Sequence, residues 1–393
     1  MSTYLTEERL LIRDTARNFV REEVLPLANR LDPEKGDIPR ELIAKMGQLG
    51  FFGILIPEEL GGLGLGVFEY CLVAEELARG WMSVASIIAR GNGFYRAIPG
   101  SEEERKDKIR RMAAGEYLGA AALSEPSTGS DLSGVSCRAR RDGDEWVITG
   151  NKYWCTFADG ADFINVLCRI DDGSGQQTER GPTVTVAVEK PRGELPRGVT
   201  GSPIPKIGYF GWKTWELHFD EVRAPVRESA ESDAGRGFEA QAAGLGVARA
   251  HTAARSIGLA RGALEDAMAY ARERIQFGQP ISDFQAIRFK IATMATEIEA
   301  ARQLMYHVCD RLDSGDYPRA EISMVKFFAA EMAERVASEA LQILGGAGYT
   351  TLHSVERYWR DARLTKIFEG TSEIQQRIIA DVLLGKPTRR GSN

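Results

Sequence analysis

The sequence predicts an α+β protein that is mainly α. It divides into an N-terminal α-helical domain over residues 1–116, a middle antiparallel β domain over 117–228 and a C-terminal four-helix bundle domain over 229–393. Three observations carry this expectation. In the first and last thirds, apolar residues recur at steps of three and four, as one face of a helix requires. The middle third breaks instead into short runs rich in Val, Ile, Thr and aromatic residues, separated by Gly, Asp and Pro. A chain of 393 residues also suits two or three domains of about 150 residues each.

In the first third, Leu10, Leu11, Thr15, Phe19 and Val20 follow a helical period, and "VFEYCLVAEELARG" from Val67 to Gly80 carries Phe68, Cys71, Leu72, Ala74 and Leu77 on one face. The intervening "PEELGGLGLG" is glycine-rich. Gly62, Gly64 and Gly66 lack the third glycine at the required offset and a strand-turn-helix setting, so a dinucleotide fingerprint is not expected there. The strands are expected in "EWVITGNKYWCTF", "FINVLCRI", "PTVTVAVEK" and "TWELHFDEVRAP", with an Asp-Gly hairpin turn in "RRDGDEW". After the loop "RESAESDAGRGF", Ile257 to Ala271, Phe284 to Leu312 and Ile322 to Val336 give three long apolar stripes, and a helix after Thr371 completes the bundle. Residues past Gly385 read as a frayed tail.

Composition narrows the function classes. The net charge of −6 comes from intermixed acids and bases, with no basic stripe for a phosphate backbone, so no nucleic-acid partner is expected. No apolar run reaches membrane-spanning length, and the N-terminal stretch carries both charge signs, unlike a secretory or transit signal; a cytoplasmic protein without a membrane partner is expected. The five scattered cysteines read as reduced thiols, and neither they nor the four histidines show metal-ligand spacing. No metal is expected.

The segment "KIFEGTSEIQ", residues 366–375, sets Glu369 after the apolar pair Ile367 and Phe368 and before a turn into a helix. A carboxyl beside apolar groups has its charged form disfavoured and becomes a usable base near neutral pH. An exposed glutamate favoured by a helix N-terminus fits the same letters.

Four separated motifs, "LSEPSTGSD" with "WCTF" behind it, "RIQFGQPISDFQ", "LQILGGAGYT" and "RDARLTKIFEGTSEIQ", occur in order over nearly the whole chain. Together they resemble the acyl-CoA dehydrogenase family of FAD-dependent flavoproteins. The resemblance implies oxidation of an acyl-CoA thioester to a trans-2-enoyl-CoA, with electrons passed to an electron-transfer flavoprotein. It implies Glu369 as the base, facing FAD across the acyl chain. The backbone N–H at the base would join a flavin hydroxyl in holding the thioester carbonyl, and Gly370 would permit the close approach. Leu123, Ser124, Gly129 and Ser130 would contact the flavin, with Ser130 also near substrate, and Trp154 and Thr156 would cover the isoalloxazine edge. On residue type alone, Trp154 reads as an ordinary cross-strand core aromatic. Arg274, Gln276, Phe277, Gln285, Gln342, Gly345 and Gly346 resemble segments that bind the FAD diphosphate and adenine across a subunit boundary, and Thr371 and Glu373 complete the implied cofactor set. Such sharing implies at least a dimer, and the family is usually tetrameric.

Departures from the family pattern also matter. Ala248 stands where some members place the base, which leaves Glu369 alone, while Arg249 matches an arginine kept close to the active site. Gly246 replaces an aspartate that contacts the CoA chain in many relatives, and "YFGWKTW" over 209–215 departs from the commoner loop over the substrate. Arg90 falls near the closed end of the acyl pocket. A buried cation needs an anionic partner, which suggests a substrate with a polar or carboxylate tail, or a compact ring, in place of a long alkyl chain, or else an internal pair with Glu75 or Glu76. A flavin oxidase or monooxygenase of the same fold, or a flavin-binding protein without turnover, are the alternative functions.

Overall fold

A computed structural model of the chain describes residues 4–98, 100–171, 173, 181–226 and 237–387. The expected loop over 227–238 lies outside the described residues as far as residue 236, with a helix beginning at Gly237, and the expected tail lies outside them from residue 388. The N-terminal helices are α1 (Glu7–Phe19), α2 (Leu25–Leu31), α3 (Arg40–Gln48), α4 (Val67–Gly80), α5 (Met82–Ile87), α6 (Ala89–Asn92) and α7 (Glu102–Ala113). A π-helical turn, Val20–Val24, joins α1 to α2. Phe19 and Val20 are buried as their period suggested, whereas Leu11 and Thr15 are exposed and Ala16 is buried, so the buried face near the start of α1 is shifted from the expected one.

Helix α4 is buried on nearly every side, including Glu69, Glu75 and Glu76. Buried carboxylates persist only when paired, and these are. Glu75 meets Arg261 and Arg302, and Glu76 meets Arg17 and Arg261, which ties the N-terminal helices to the C-terminal ones. The glycine-rich loop before α4 has a packing explanation. A Cβ on Gly66 would lie 2.5 Å from Asp313, whose carboxylate accepts from the Val67 and Phe68 N–H groups at 2.6 and 3.0 Å and caps the helix from another domain.

The middle sheet has seven strands: β1 (Gly119–Ala122), β2 (Arg138–Asp142), β3 (Glu145–Thr156), β4 (Phe163–Asp171), β5 (Thr183–Glu189), β6 (Val199–Pro203) and β7 (Thr214–Pro225). The Asp-Gly hairpin forms as expected, with Asp142 opposite Glu145. The sheet is mixed rather than wholly antiparallel, because β1 and β2 both pair with β4 in parallel. β1, "GAAA", carries none of the branched or aromatic residues that mark a strand in isolation, and its place is set by pairing with buried β4.

The C-terminal bundle consists of α8 (Gly237–Glu273), α9 (Gln285–Asp313), α10 (Arg319–Leu344) and α12 (Ser372–Leu384), with α11 (Val355–Thr365) packed on α8 and α10. Ile257, Ala260, Leu264, Ala267 and Ala271 of α8 are buried, as are Ile322, Val325, Ala329, Met332 and Val336 of α10. All five cysteines are free and buried. Among the described residues no helix is long and apolar enough to cross a membrane.

Candidate active site

Glu369 lies in the turn between α11 and α12 with φ +54°, followed by Gly370 at φ +91°. Non-glycine residues rarely adopt such a backbone unless their surroundings fix it. Here two buried side chains do so. Lys326 of α10 donates to the Gly370 carbonyl at 2.5 Å and Gln375 Nε2 donates to the same oxygen at 3.1 Å. Thr371 caps α12 by accepting from the Ile374 N–H, and Glu373 in its first turn is exposed. Among the described residues the Glu369 backbone N–H has no hydrogen-bond partner, which leaves a fixed donor beside the carboxylate.

The surroundings of this carboxylate differ from the expected apolar ones. Ile367 is exposed, and Phe368 offers its ring to a cation, the Arg255 guanidinium 4.7 Å from its centroid. Arg255 Nη2 donates to Glu369 Oε1 at 2.8 Å, and the Thr252 hydroxyl donates to Oε2. Arg255 and Thr252 sit one turn apart on α8, so both reach the same group, and Nη2 also donates to Thr252 Oγ1 at 3.0 Å. Burial works against the Arg255 charge, but Glu369 outweighs it and holds the guanidinium above its ordinary range. Lys326 is pushed down to about 8 by burial, with Glu369 opposing.

Arg249, two turns before Arg255, is 9% exposed, its Nε has no hydrogen-bond partner among the described residues, and burial depresses it. Ala248 offers only its carbonyl, which shares the single Thr252 hydroxyl proton with Glu369. A Cβ on Gly246 would lie 2.6 Å from the Tyr317 ring, so the missing carboxylate there has a steric counterpart. Arg90 makes no ion pair with Glu75 or Glu76, which are taken by other arginines, and lies instead over the Phe94 ring at 5.6 Å.

On the sheet side, a register shift between Lys152 and Cys155 gives Trp154 a φ of +65° and turns its indole outward, 56% exposed. A bulge of this kind re-aims a side chain that regular alternation would otherwise place. Trp154 is therefore not a core aromatic. Thr156 Oγ1 lies 3.0 Å from Thr214 Oγ1, and Thr214 in turn accepts from Lys206, which also donates to the Tyr209 and Trp212 carbonyls. The unusual 209–215 loop is thus stapled from inside. Leu123 and Ser124 offer their carbonyls to Lys152 Nζ and the Tyr153 N–H. The loop beyond them is held by Glu125, which accepts from Lys152 Nζ at 2.8 Å and from Ser136 and Cys137. Burial raises that carboxyl, but these donors overcome it and hold it below its usual range. Gly129 and Ser130 are exposed, and their N–H groups have no partner among the described residues.

Arg274, Gln276, Phe277, Gln285, Gln342, Gly345 and Gly346 are all exposed, Phe277 to 94%. The Lys290–Glu339 pair sets the start of α9 beside the end of α10, so Gln285 and Gln342 share one end of the bundle. No hydrogen bond or ring contact joins this group to Trp154 or Thr156 among the described residues.

The chain matches the acyl-CoA dehydrogenase N-terminal domain over residues 6–116, the middle domain over 120–222 and the C-terminal domain over 235–384. It is 36% identical to the 3-(aryl)acrylate reductase of Clostridium sporogenes, covering 97% of this chain and 100% of that one. It is 38% identical to the (2S)-methylsuccinyl-CoA dehydrogenase of Cereibacter sphaeroides, over 97% of this chain and 70% of the relative. The butyryl-CoA dehydrogenase structure from Megasphaera elsdenii superposes with a TM-score of 0.88 at 32% identity, covering 98% of this chain and 100% of the other. The chain belongs to the acyl-CoA dehydrogenase family and is an oxidoreductase.

Sequence reasoning missed Thr252, Arg255, Lys326, Lys206 and the Glu125–Lys152 pair. Arg255 left a signal: a cation within "AARSIGLA", an otherwise small and apolar stretch, implies a buried partner elsewhere.

Proposed function

We propose that the chain removes the α proton of an acyl-CoA thioester through Glu369 and yields a trans-2-enoyl-CoA. The observation that carries this is the Glu369 turn itself, where a carboxylate and an unpaired backbone N–H are held at one place by Lys326 and Gln375. The thioester carbonyl accepts from that N–H, which stabilises negative charge on its oxygen as the α proton leaves. The α C–H bond breaks, its proton goes to a Glu369 oxygen, and its electron pair forms the α,β double bond. When bound, FAD supplies the acceptor for the hydride that leaves the β carbon. The residues present fit that cofactor. Trp154 exposes a flat indole face beside the Thr156 hydroxyl, and Gly129 and Ser130 offer free N–H groups, with Leu123 and Ser124 in the adjoining segment. Arg274, Gln276, Phe277, Gln285, Gln342, Gly345, Gly346, Thr371 and Glu373 would hold the cofactor's diphosphate and adenine across a subunit boundary; arginine suits a diphosphate through its planar fork of donors. Exposed Phe277, Tyr349 and Leu352 fit burial in a homotetramer. Arg249, Ser130, Gly370 and Arg90 complete the substrate contacts. An electron-transfer flavoprotein is the proposed acceptor, in keeping with the caffeyl-CoA reductase–Etf complex subunit of Acetobacterium woodii, 36% identical over 98% of this chain and 100% of that one. The cytoplasm is the proposed location.

The test is anaerobic. Yellow holoenzyme bleaches when mixed with a panel of acyl-CoA thioesters, and Glu369→Gln binds FAD without bleaching. Bleaching that survives in the variant rejects the base assignment. Rapid peroxide release in air marks an oxidase instead.

A further inference from the structure

Both oxygens of Glu369 are occupied in this state, one by a guanidinium and the other by a hydroxyl. A carboxylate gripped in this way must shed a partner before it can take a carbon-bound proton. Arg255 cannot simply withdraw, since it is 2% exposed and an unpaired charge there is strongly unfavourable. It needs another anion.

The wall around Arg255 has capacity for one. A guanidinium has five N–H donors. In Arg255 they reach the His251 carbonyl, Ser86 Oγ, Thr252 Oγ1 and Glu369, which leaves one hydrogen on Nη1 without an acceptor among the described residues. Tyr70 stands alongside, stacked on His251 with ring centroids 4.5 Å apart. Its hydroxyl makes no described hydrogen bond, and burial keeps it protonated and able to donate. Arg255 and Arg90 act on that hydroxyl against Cys71 and Glu369, and Arg90 has no carboxylate of its own among the described residues. Arg249 and Lys326 also feel the Glu369 carboxylate, so cations outnumber it here. A second anion would balance them.

Resting on the assignment of Glu369 as the base, we propose that Arg255 selects acyl thioesters whose chain ends in a carboxylate, exchanging its pair with Glu369 for the substrate's acid group and so releasing the base. The geometry suits a four- or five-carbon diacid. A base oxygen works about 3 Å from the α carbon, and the tail carboxylate of such a diacid lies two to three bonds of about 1.5 Å beyond that carbon. Arg255 Nη2, 2.8 Å from Glu369 Oε1, is within reach of it. An uncharged chain offers Arg255 nothing in exchange and leaves the base gripped.

The holoenzyme is given glutaryl-CoA and butyryl-CoA, and flavin bleaching is followed anaerobically. The expected result is a kcat/KM higher by roughly tenfold or more for glutaryl-CoA, with the preference abolished in Arg255→Met and partly kept in Arg255→Lys. Equal or better use of butyryl-CoA by the wild type overturns the proposal, as does an unchanged ratio in an Arg255→Met protein that still binds FAD. A binding arm is independent of turnover and of the folding of the Arg255 variants. In Glu369→Gln, Arg255 has lost its internal anion, so affinity for glutaryl-CoA rises over wild type while that for butyryl-CoA does not. Parallel changes for the two thioesters overturn the selector. Absence of bleaching with every thioester, alongside a selective gain in this arm, would instead sink the base assignment and leave the acid receptor standing.

Discussion

Lys326 Nζ sits 2.5 Å from the carbonyl oxygen of Gly370, reaching it from a side chain with no exposed surface. A buried ammonium on α10 thereby sets the Gly370–Thr371 peptide plane, one residue past Glu369. Replacing it by methionine keeps the bulk and removes the anchor. In Lys326→Met the rate of flavin reduction is expected to fall by up to about a hundredfold, the cost of a misplaced reacting group, while FAD content stays near wild type. Stopped-flow reduction with absorbance at the flavin maximum checks both.

Gly370→Ala attacks the same turn from the backbone. At φ +91° a Cβ is strained, and it would lie 2.5 Å from Gln375 Nε2. A loss of about 1–3 kcal/mol is expected, read as an earlier midpoint in urea unfolding. An unchanged midpoint would show that the turn can relax.

The loop beneath the proposed flavin site depends on the Lys152–Glu125 pair, both members almost wholly buried. Lys152→Met leaves Glu125 charged and unpaired, and a cost of about 3–5 kcal/mol is expected, with weaker FAD retention on gel filtration. The double variant Lys152→Met/Glu125→Gln should recover part of this, because no orphan charge remains.

Asp361 of α11 is buried, accepts from the Tyr209 N–H at 2.6 Å, and has its other oxygen without a partner. Burial first, and then the neighbouring Asp32, push its carboxyl up to about 7. An unfolded aspartate gives up its proton near pH 4, at about 3.9. Between these limits the folded state holds more protons than the unfolded one, so stability declines as pH rises through the window and levels off above it. Asp361→Asn keeps an acceptor for Tyr209 and should flatten the slope in thermal melts between about pH 4 and 7.

The fold was legible wherever local pattern and burial agree. The stripes of α8, α9 and α10, the four expected strands and the Asp-Gly hairpin all follow from period and turn chemistry. β1 and the parallel pairs were hidden because "GAAA" becomes a strand only through its neighbour. At the site, Glu369 could be singled out from its motif. Its environment could not, since Arg255 lies 114 residues away and Ile367 and Phe368 suggested an apolar setting that the fold does not build. Trp154 shows the reverse error of residue type: an aromatic in a strand suggests core, and a shifted register sends it outward.

That outward indole gives the chain an optical gauge of its own. Trp81, Trp146 and Trp212 are buried and shielded from water, whereas Trp154 and, less so, Trp359 meet it directly. Emission from the emptied apoprotein should carry a red-shifted component that Trp154→Phe diminishes, and titrated FAD should quench the Trp154 share before the rest. Occupancy of the yellow pigment could then be followed by fluorescence without any label.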